Sequence, residues 1–173
     1  MTGPTCRPIM AAGGPAPALP VVVAAVQGPL GLLLIRRAKP PFAGLWGLPG
    51  GKVMCGEHLD DAARREVLEE SGIETRFERL AGVVTELLCA DGESSRHYLL
   101  LVCQLSAVGG ELRPSPEGEL RWLPAAADPG LDIEMIPSDR LMLERLVFRR
   151  PAKSYFRCVV RRAGGRYRVE CFE

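Results

Sequence analysis

Residues 51–73 read GKVMCGEHLDDAARREVLEESGI. Leu59, Ala63 and Val67 recur at i, i+4 and i+8, an apolar seam of helical period, and Gly72 is a good C-terminal stop, so the spacing predicts a helix over 59–71. Its polar face is unusual. Glu66, Glu69 and Glu70 are related by i+3 and i+4, which crowds three carboxylates on one side. Like charges at these spacings cost about 0.2–0.5 kcal/mol per pair. They also stand in the last turns of the helix, the negative end of its dipole, where lysine would serve stability better. A hard divalent cation removes both penalties, because Mg²⁺ takes carboxylate oxygens and usually keeps several waters. A plain solvated acidic face is the competing reading of the cluster taken alone.

Outward from the helix, the chain alternates strand and helix patterns. Val21–Val26 and Gly31–Arg37 are apolar runs separated by Gly28-Pro29 and read as a β-hairpin. A Pro- and Gly-dense loop spans 39–51. Strand pattern resumes over Leu80–Cys89, turns at Asp91-Gly92 and returns over His97–Leu105. Another loop from Gly109-Gly110 carries Glu117 and Glu119 into Leu120–Leu123. A second helix is expected from Ser138, as N-cap after Pro137, to about Phe148. The chain ends in a hairpin, Tyr155–Arg162 and Arg166–Phe172, joined by Gly164-Gly165, a pair suited to a type I′ turn. That register pairs Arg162 with Tyr167, Val160 with Val169 and Cys158 with Cys171. It leaves one face apolar and one basic, a hairpin to lie on the body of the protein or on a second subunit, with a homodimer as one outcome. The interleaving gives an α/β or α+β class with a mixed sheet.

Composition bounds the rest. A chain of 173 residues has room for one domain with a real core. Hydrophobic content of 47% and charged content of 25% are globular values. No segment reaches the roughly 18 apolar residues that span a bilayer. Residues 1–19 read as a flexible tail rather than an export signal, 20–150 as the domain proper, and 151–173 as a hairpin extension of it. The six cysteines form no Cys-x-x-Cys pair and only two histidines are present, which argues against zinc and for free cytoplasmic thiols. The net charge of +1 hides an uneven distribution. Residues 1–139 hold 12 Lys+Arg and 18 Asp+Glu, and residues 140–173 hold 10 and 3. The basic end could meet an anionic ligand or be a solvated surface.

The spacing around the helix is more specific than the helix. Gly51, five residues, Glu57, seven residues and then Arg65-Glu66-Val67-Leu68-Glu69-Glu70-Ser71-Gly72-Ile73 resembles the signature of the Nudix hydrolase family (MutT-like) at every specified position. The lead-in Trp46-Gly-Leu-Pro-Gly-Gly51 is similar as well. The resemblance implies an α/β/α sandwich with a mixed sheet. It implies cleavage of the diphosphate P–O–P bond of a nucleoside diphosphate linked to another moiety, by attack of metal-activated water at phosphorus. On that footing Glu66, Glu69, Glu70 and the Gly50 carbonyl are the expected ligands of Mg²⁺, with Mn²⁺ as a substitute. Glu57 and Arg65 match positions that orient them. Glu117 and Glu119 are the candidate general bases, and either could equally be an ordinary loop acid.

Arg36 and Arg37 are candidates for substrate phosphate, one of them turned away by strand parity. Trp46 could stack on a base, although packing the loop is favoured. Trp122 reads as a core anchor and His97 as a strand residue. The proline that marks ADP-ribose hydrolases of the family about fifteen residues past the motif is missing, since none occurs between Glu74 and Val108. The tyrosine associated with dinucleoside polyphosphates and the motif of the NADH-cleaving branch are missing too. ADP-sugars, nucleoside triphosphates including oxidised ones, and capped RNA ends stay open. The alternative is a non-catalytic Nudix-fold nucleotide sensor. Such domains usually lose signature glutamates and gain a DNA-binding partner domain. This chain keeps the glutamates, and DNA binding is not expected.

Overall fold

The computed structural model describes residues 17–90, 96–124, 133–149 and 152–173. Most of the expected tail and the expected turn at Asp91-Gly92 lie outside the described residues. The strands are β1 (Leu19–Gly28), β2 (Gly31–Arg37), β3 (Trp46–Gly47), β4 (Gly50–Lys52), β5 (Ile73–Ala90), β6 (Arg96–Gly110), β7 (Gly118–Leu123), β8 (Tyr155–Ala163) and β9 (Arg166–Phe172). Helix α1 (Leu59–Ser71) lies between β4 and β5, and α2 (Pro137–Met142) follows β7 and runs on into a π-helical segment, Leu143–Phe148. The sheet order is β3-β2-β1-β6-β5-β8-β9, with β4 added to β1 and β7 to β2. The β1–β6 and β5–β8 pairs are parallel and the others antiparallel, which makes the sheet mixed.

Side-chain alternation along β1 explains the layering. Val22, Ala24 and Val26 join Ala62, Ala63 and Val67 of α1 in one apolar cluster. Val23 and Ala25 face the other way, into a cluster with Met142, Leu143 and Leu146. A strand buried on both faces with helices on either side is an α/β/α sandwich, the architecture that the resemblance implies. Helix α1 keeps its expected bounds. Gly72 closes it at φ 76° with its N–H on the Leu68 carbonyl, a left-handed cap that glycine adopts without cost. Because Ile73 already belongs to β5, no loop separates helix from strand.

Four expectations need correction. The β1–β2 hairpin is paired only at Gln27–Leu32 and Gly28–Gly31. Beyond its turn β1 turns to β4 and β6, and β2 to β3 and β7. Strand β5 starts at Ile73, not Leu80. Helix α2 starts at Pro137, which presets its φ, and no side chain caps it. Ser138 lies inside, 1% exposed, rather than acting as N-cap. In the final hairpin Arg162 pairs with Tyr167 and Val160 with Val169, but an irregularity between Val159 and Val160 shifts the remainder. Val159 then meets Cys171 and Cys158 meets Phe172.

The same hairpin packs its apolar face on the body, as expected, but as part of the sheet and not as a layer over it. It extends the sheet, with β8 hydrogen-bonded to β5 from Val83–Tyr155 to Ala90–Arg162. Phe156, Cys158, Val160 and Phe172 are therefore core residues. Cys89, Cys103 and Cys158 are buried thiols, Cys55 is exposed and Cys171 half-buried. Among the described residues no helix is long and apolar enough to cross a membrane.

Val160 tests this placement, since its side chain is fully buried between β5 and β9. Val160→Ala is expected to lower stability by about 1.5–3 kcal/mol. In thermal unfolding that is a fall of roughly 2–4 °C per kcal/mol. An unchanged melting temperature would place the hairpin outside the core.

Candidate functional site

Arg65 organises the end of α1. Its Nε and Nη2 donate to the two carboxylate oxygens of Glu57 at 2.7 and 2.9 Å. Nη1 donates to Glu66 Oε1 at 2.8 Å and Glu69 Oε2 at 3.2 Å, and Nη2 also reaches the Lys52 carbonyl at 3.2 Å. A planar fork of donors suits this task in a way a lysine would not. The guanidinium beside Glu57, helped by the Met54 N–H, holds its carboxyl down at about 2. Hydrogen bonds to Glu57 and Glu66 push Arg65 up in turn.

Glu66 and Glu70 meet the glycine turn of β4. The Gly50 N–H donates to Glu70 Oε2 at 3.0 Å. Gly50 has φ 152°, and a Cβ there would lie 2.1 Å from the Val22 carbonyl oxygen. A Cβ on Gly51 would fall 2.4–2.5 Å from the Glu66 carboxylate, so this carboxylate rests directly on the backbone. Burial pushes Glu70 up to about 7, against the Gly50 N–H, and the charges of Glu66 and Glu117 add to the rise while Arg37 opposes it.

This donor set fits a hard divalent cation in kind. It offers carboxylate and backbone oxygens, with Glu66 and Glu69 both bonded to Arg65. Among the described residues, no three His, Cys, Asp or Glu side chains converge as they stand on one metal position. Loading therefore calls for side-chain rotation, for which Glu69, with 59% of its side chain exposed, has the most freedom.

Gly50 and Gly51 also line a cavity of about 500 Å³ between the 38–52 loop, β1, β6 and the start of α2. Arg37, Phe42, Glu86, His97, Ser138 and Asp139 contribute to its wall. Glu86 and Asp139 are its least expected members, acids that are 3% and 8% exposed. Asp139 Oδ2 accepts the Leu48 N–H at 2.8 Å and stands 2.7 Å from where a Gly47 Cβ would be. Glu86 is held by Ser138 and by Cys158, whose Sγ is 3.9 Å away. Burial pushes Glu86 up to about 7 and Asp139 up to about 6. At neutral pH these groups can serve as proton donors as well as acceptors.

The other sequence candidates separate. Arg37 lines the cavity and donates from Nε to the Pro41 carbonyl at 3.0 Å. Arg36 turns outward to the Gly44 carbonyl at 3.0 Å and lies 3.8 Å from Glu119. Glu117 pairs with Lys39 at 2.7 Å, and its charge reaches Glu70. Trp46 is 8% exposed in the core, bonded through its backbone to Glu134 and Ile136, and lines no part of the cavity. Trp122 packs against the α1-side cluster, and His97 is an exposed residue of β6. Glu86 and Asp139 went unpredicted. The signal for Glu86 was present, a lone acid within the apolar run from Leu80 to Cys89.

Comparison with known proteins agrees with this geometry. The family model for the NUDIX domain matches residues 15–146. An ADP-ribose pyrophosphatase of Methanocaldococcus jannaschii is 36% identical over 88 residues, 51% of this chain and 50% of that protein. An 8-oxo-(d)GTP phosphatase of Mycolicibacterium smegmatis is 36% identical over 128 residues, 72% of this chain and 37% of that protein. The matches thus span half of these curated relatives or less. The crystal structure of a MutT NUDIX hydrolase from Burkholderia pseudomallei superposes with a TM-score of 0.62 at 32% identity, covering 76% of this chain and 99% of that one.

The buried acids give a pH signature. A carboxyl whose folded pKa is raised contributes full stability below its unfolded value and loses it as pH rises through the folded value. For Glu86 the loss runs from about 4.5 to about 7. Glu86→Gln removes the ionisation, so it should stabilise the protein relative to wild type near pH 8 and much less near pH 5. A difference of about 1–3 kcal/mol between the two conditions is expected from a shift of this size. Urea unfolding of both proteins at the two pH values measures it, and an equal effect at both would contradict the assignment.

Proposed function

This chain belongs to the Nudix family, and from that premise we propose that it is a pyrophosphohydrolase that cleaves the P–O–P bond of a nucleoside diphosphate carrying a further group, in a divalent-metal-dependent reaction. The observation that carries the reading is the position of Gly50 and Gly51. They line the cavity and at the same time meet Glu70 and Glu66.

In this reading the nucleoside enters the cavity and the diphosphate extends to the glycine turn. Mg²⁺, or Mn²⁺, held by Glu66, Glu69, Glu70 and the Gly50 carbonyl, would supply the charge that offsets the diphosphate and makes an attacking water more acidic. Arg65 and Glu57 keep those carboxylates in place. Arg37, on the cavity wall, is suited to a phosphate oxygen. Glu117 is the better placed of the two proton acceptors, because its charge reaches Glu70 while Glu119 lies beside Arg36. The carboxyls of Glu86 and Asp139, able to donate or accept, suit the alternating donors and acceptors of a base edge. A nucleoside triphosphate with an altered purine fits this floor and the name of the Mycolicibacterium relative. The family's ADP-ribose marker proline is absent from 74–108.

Glu70→Gln is expected to lower kcat by about 100-fold or more while leaving the unfolding transition intact. Wild-type turnover by that variant, or full activity in excess chelator, would remove the carboxylates from the chemistry. Hydrolysis in ¹⁸O-water should place the label on a phosphate product, and label on a sugar carbon would mean glycosidic cleavage instead.

A further inference from the structure

The final hairpin lies beyond the 15–146 span that the family model matches, and it lines no part of the cavity, yet it touches a residue that does. Tyr167 of β9 accepts the Phe42 N–H on its hydroxyl oxygen at 3.2 Å across 125 positions of sequence. The two rings pack with centroids 4.4 Å apart at 49°. Phe42 is 7% exposed, lines the cavity beside Pro41, and has φ 66°, a left-handed conformation that bulky residues rarely hold without outside support. The Phe42 carbonyl accepts the Leu45 N–H at 3.1 Å, and Gly44 donates to the Arg37 carbonyl at 2.8 Å. Arg37 in turn holds the Pro41 carbonyl. One tight loop thus carries an aromatic wall of the cavity beside the Arg37 cation; Glu117 holds its first residues, through the Ala38 N–H at 2.9 Å and Lys39 at 2.7 Å, and Tyr167 holds it at Phe42.

We propose that Tyr167 is a positioning residue for substrate binding, and that the 155–172 hairpin is part of the binding apparatus through its hold on Phe42. The inference rests on the reading of the cavity as the nucleotide site. It assigns Tyr167 no role in the chemical step. Without the hydroxyl, the Phe42 N–H loses its acceptor, and the left-handed turn keeps only the bonds within the loop and from Arg37 around Phe42. The cavity wall then has to be ordered at the moment of binding, which appears in affinity and not in turnover.

Tyr167→Phe in the full chain is the test, because it keeps the ring and removes only the hydroxyl. Steady-state kinetics with 8-oxo-dGTP and ADP-ribose should show KM raised about three- to tenfold for whichever is hydrolysed, the range expected for one lost hydrogen bond. The expected kcat stays within about twofold of wild type. Phe42→Leu should raise KM as well, and the double variant should cost less than the two single effects combined, because both break one contact. Amide hydrogen exchange of residues 42–45 should be faster in Tyr167→Phe with no nucleotide present. Unchanged KM together with unchanged exchange overturns the proposal. So does a fall in kcat matching a general loss of melting temperature, which would make Tyr167 a structural residue only. If the wild type hydrolyses and binds neither nucleotide, the altered-purine substrate is ruled out, and the exchange measurement alone then decides the hold of Tyr167 on the loop.

Discussion

The structure depends on one guanidinium. Glu57, Glu66 and Glu69 each bond to Arg65, and the Lys52 carbonyl completes the set, so a loop, a helix end and a short strand are tied at a single cation. Without it the helix would end in crowded carboxylates at the unfavourable pole of its dipole. With it three carboxylates share one fork of donors, and that of Glu66 rests against the glycine turn. Glu70 escapes this neutralisation. It is buried, bonded to a backbone N–H, and exposed to the repulsion of Glu66 and Glu117. One guanidinium faces three carboxylates, so the cluster keeps a formal negative charge even before Glu70 is counted.

The glycine turn is the second constraint. Gly47 and Gly51 each leave room for a carboxylate, Asp139 on one and Glu66 on the other, while Gly50 passes within van der Waals distance of β1. Side chains at these positions would push apart the groups that the turn brings together. Leu48, whose N–H bonds to Asp139, and Gly50, whose N–H bonds to Glu70, are two residues apart. The cavity floor and the carboxylate cluster are in this way connected through one short piece of backbone.

What could be read from sequence follows from the range of the forces involved. Helix α1 was legible because its period and its Gly72 stop are local, and the Gly164-Gly165 turn because both residues have positive φ, 57° and 78°. Strand β5 was in part readable. Glu74, Arg76 and Glu78 are exposed at alternate positions around half-buried Thr75 and Phe77, but the weakly apolar inward residues hide the period. The shift between Val159 and Val160 was not readable, since β8 is held by β5 on its other edge and the hairpin yields where the two ladders compete. Ser138 looked like a helix cap because that is its commonest local use. Its hydroxyl goes instead to Glu86, a partner 52 positions away, and no local pattern could have joined them.

Helix α1 passes into β5 through Gly72 alone, and the consequence is metric. Glu66, Glu69, Glu70 and Glu86 lie on one helix–strand run that no loop interrupts, although the β5–β6 ladder slips at three places between Glu74 and Gly82, so the span from the carboxylate cluster to Glu86 is measured by a calliper with three joints in one arm. A residue gained or lost along a regular part of that strand would displace the far jaw by about 3.3 Å and turn its side chain to the opposite face of the sheet, whereas one gained at a joint is taken up as a bulge. The joints let the arm change length by whole residues only, and a finer change of fit falls to the 38–45 loop, where Pro41 and Phe42 line the cavity.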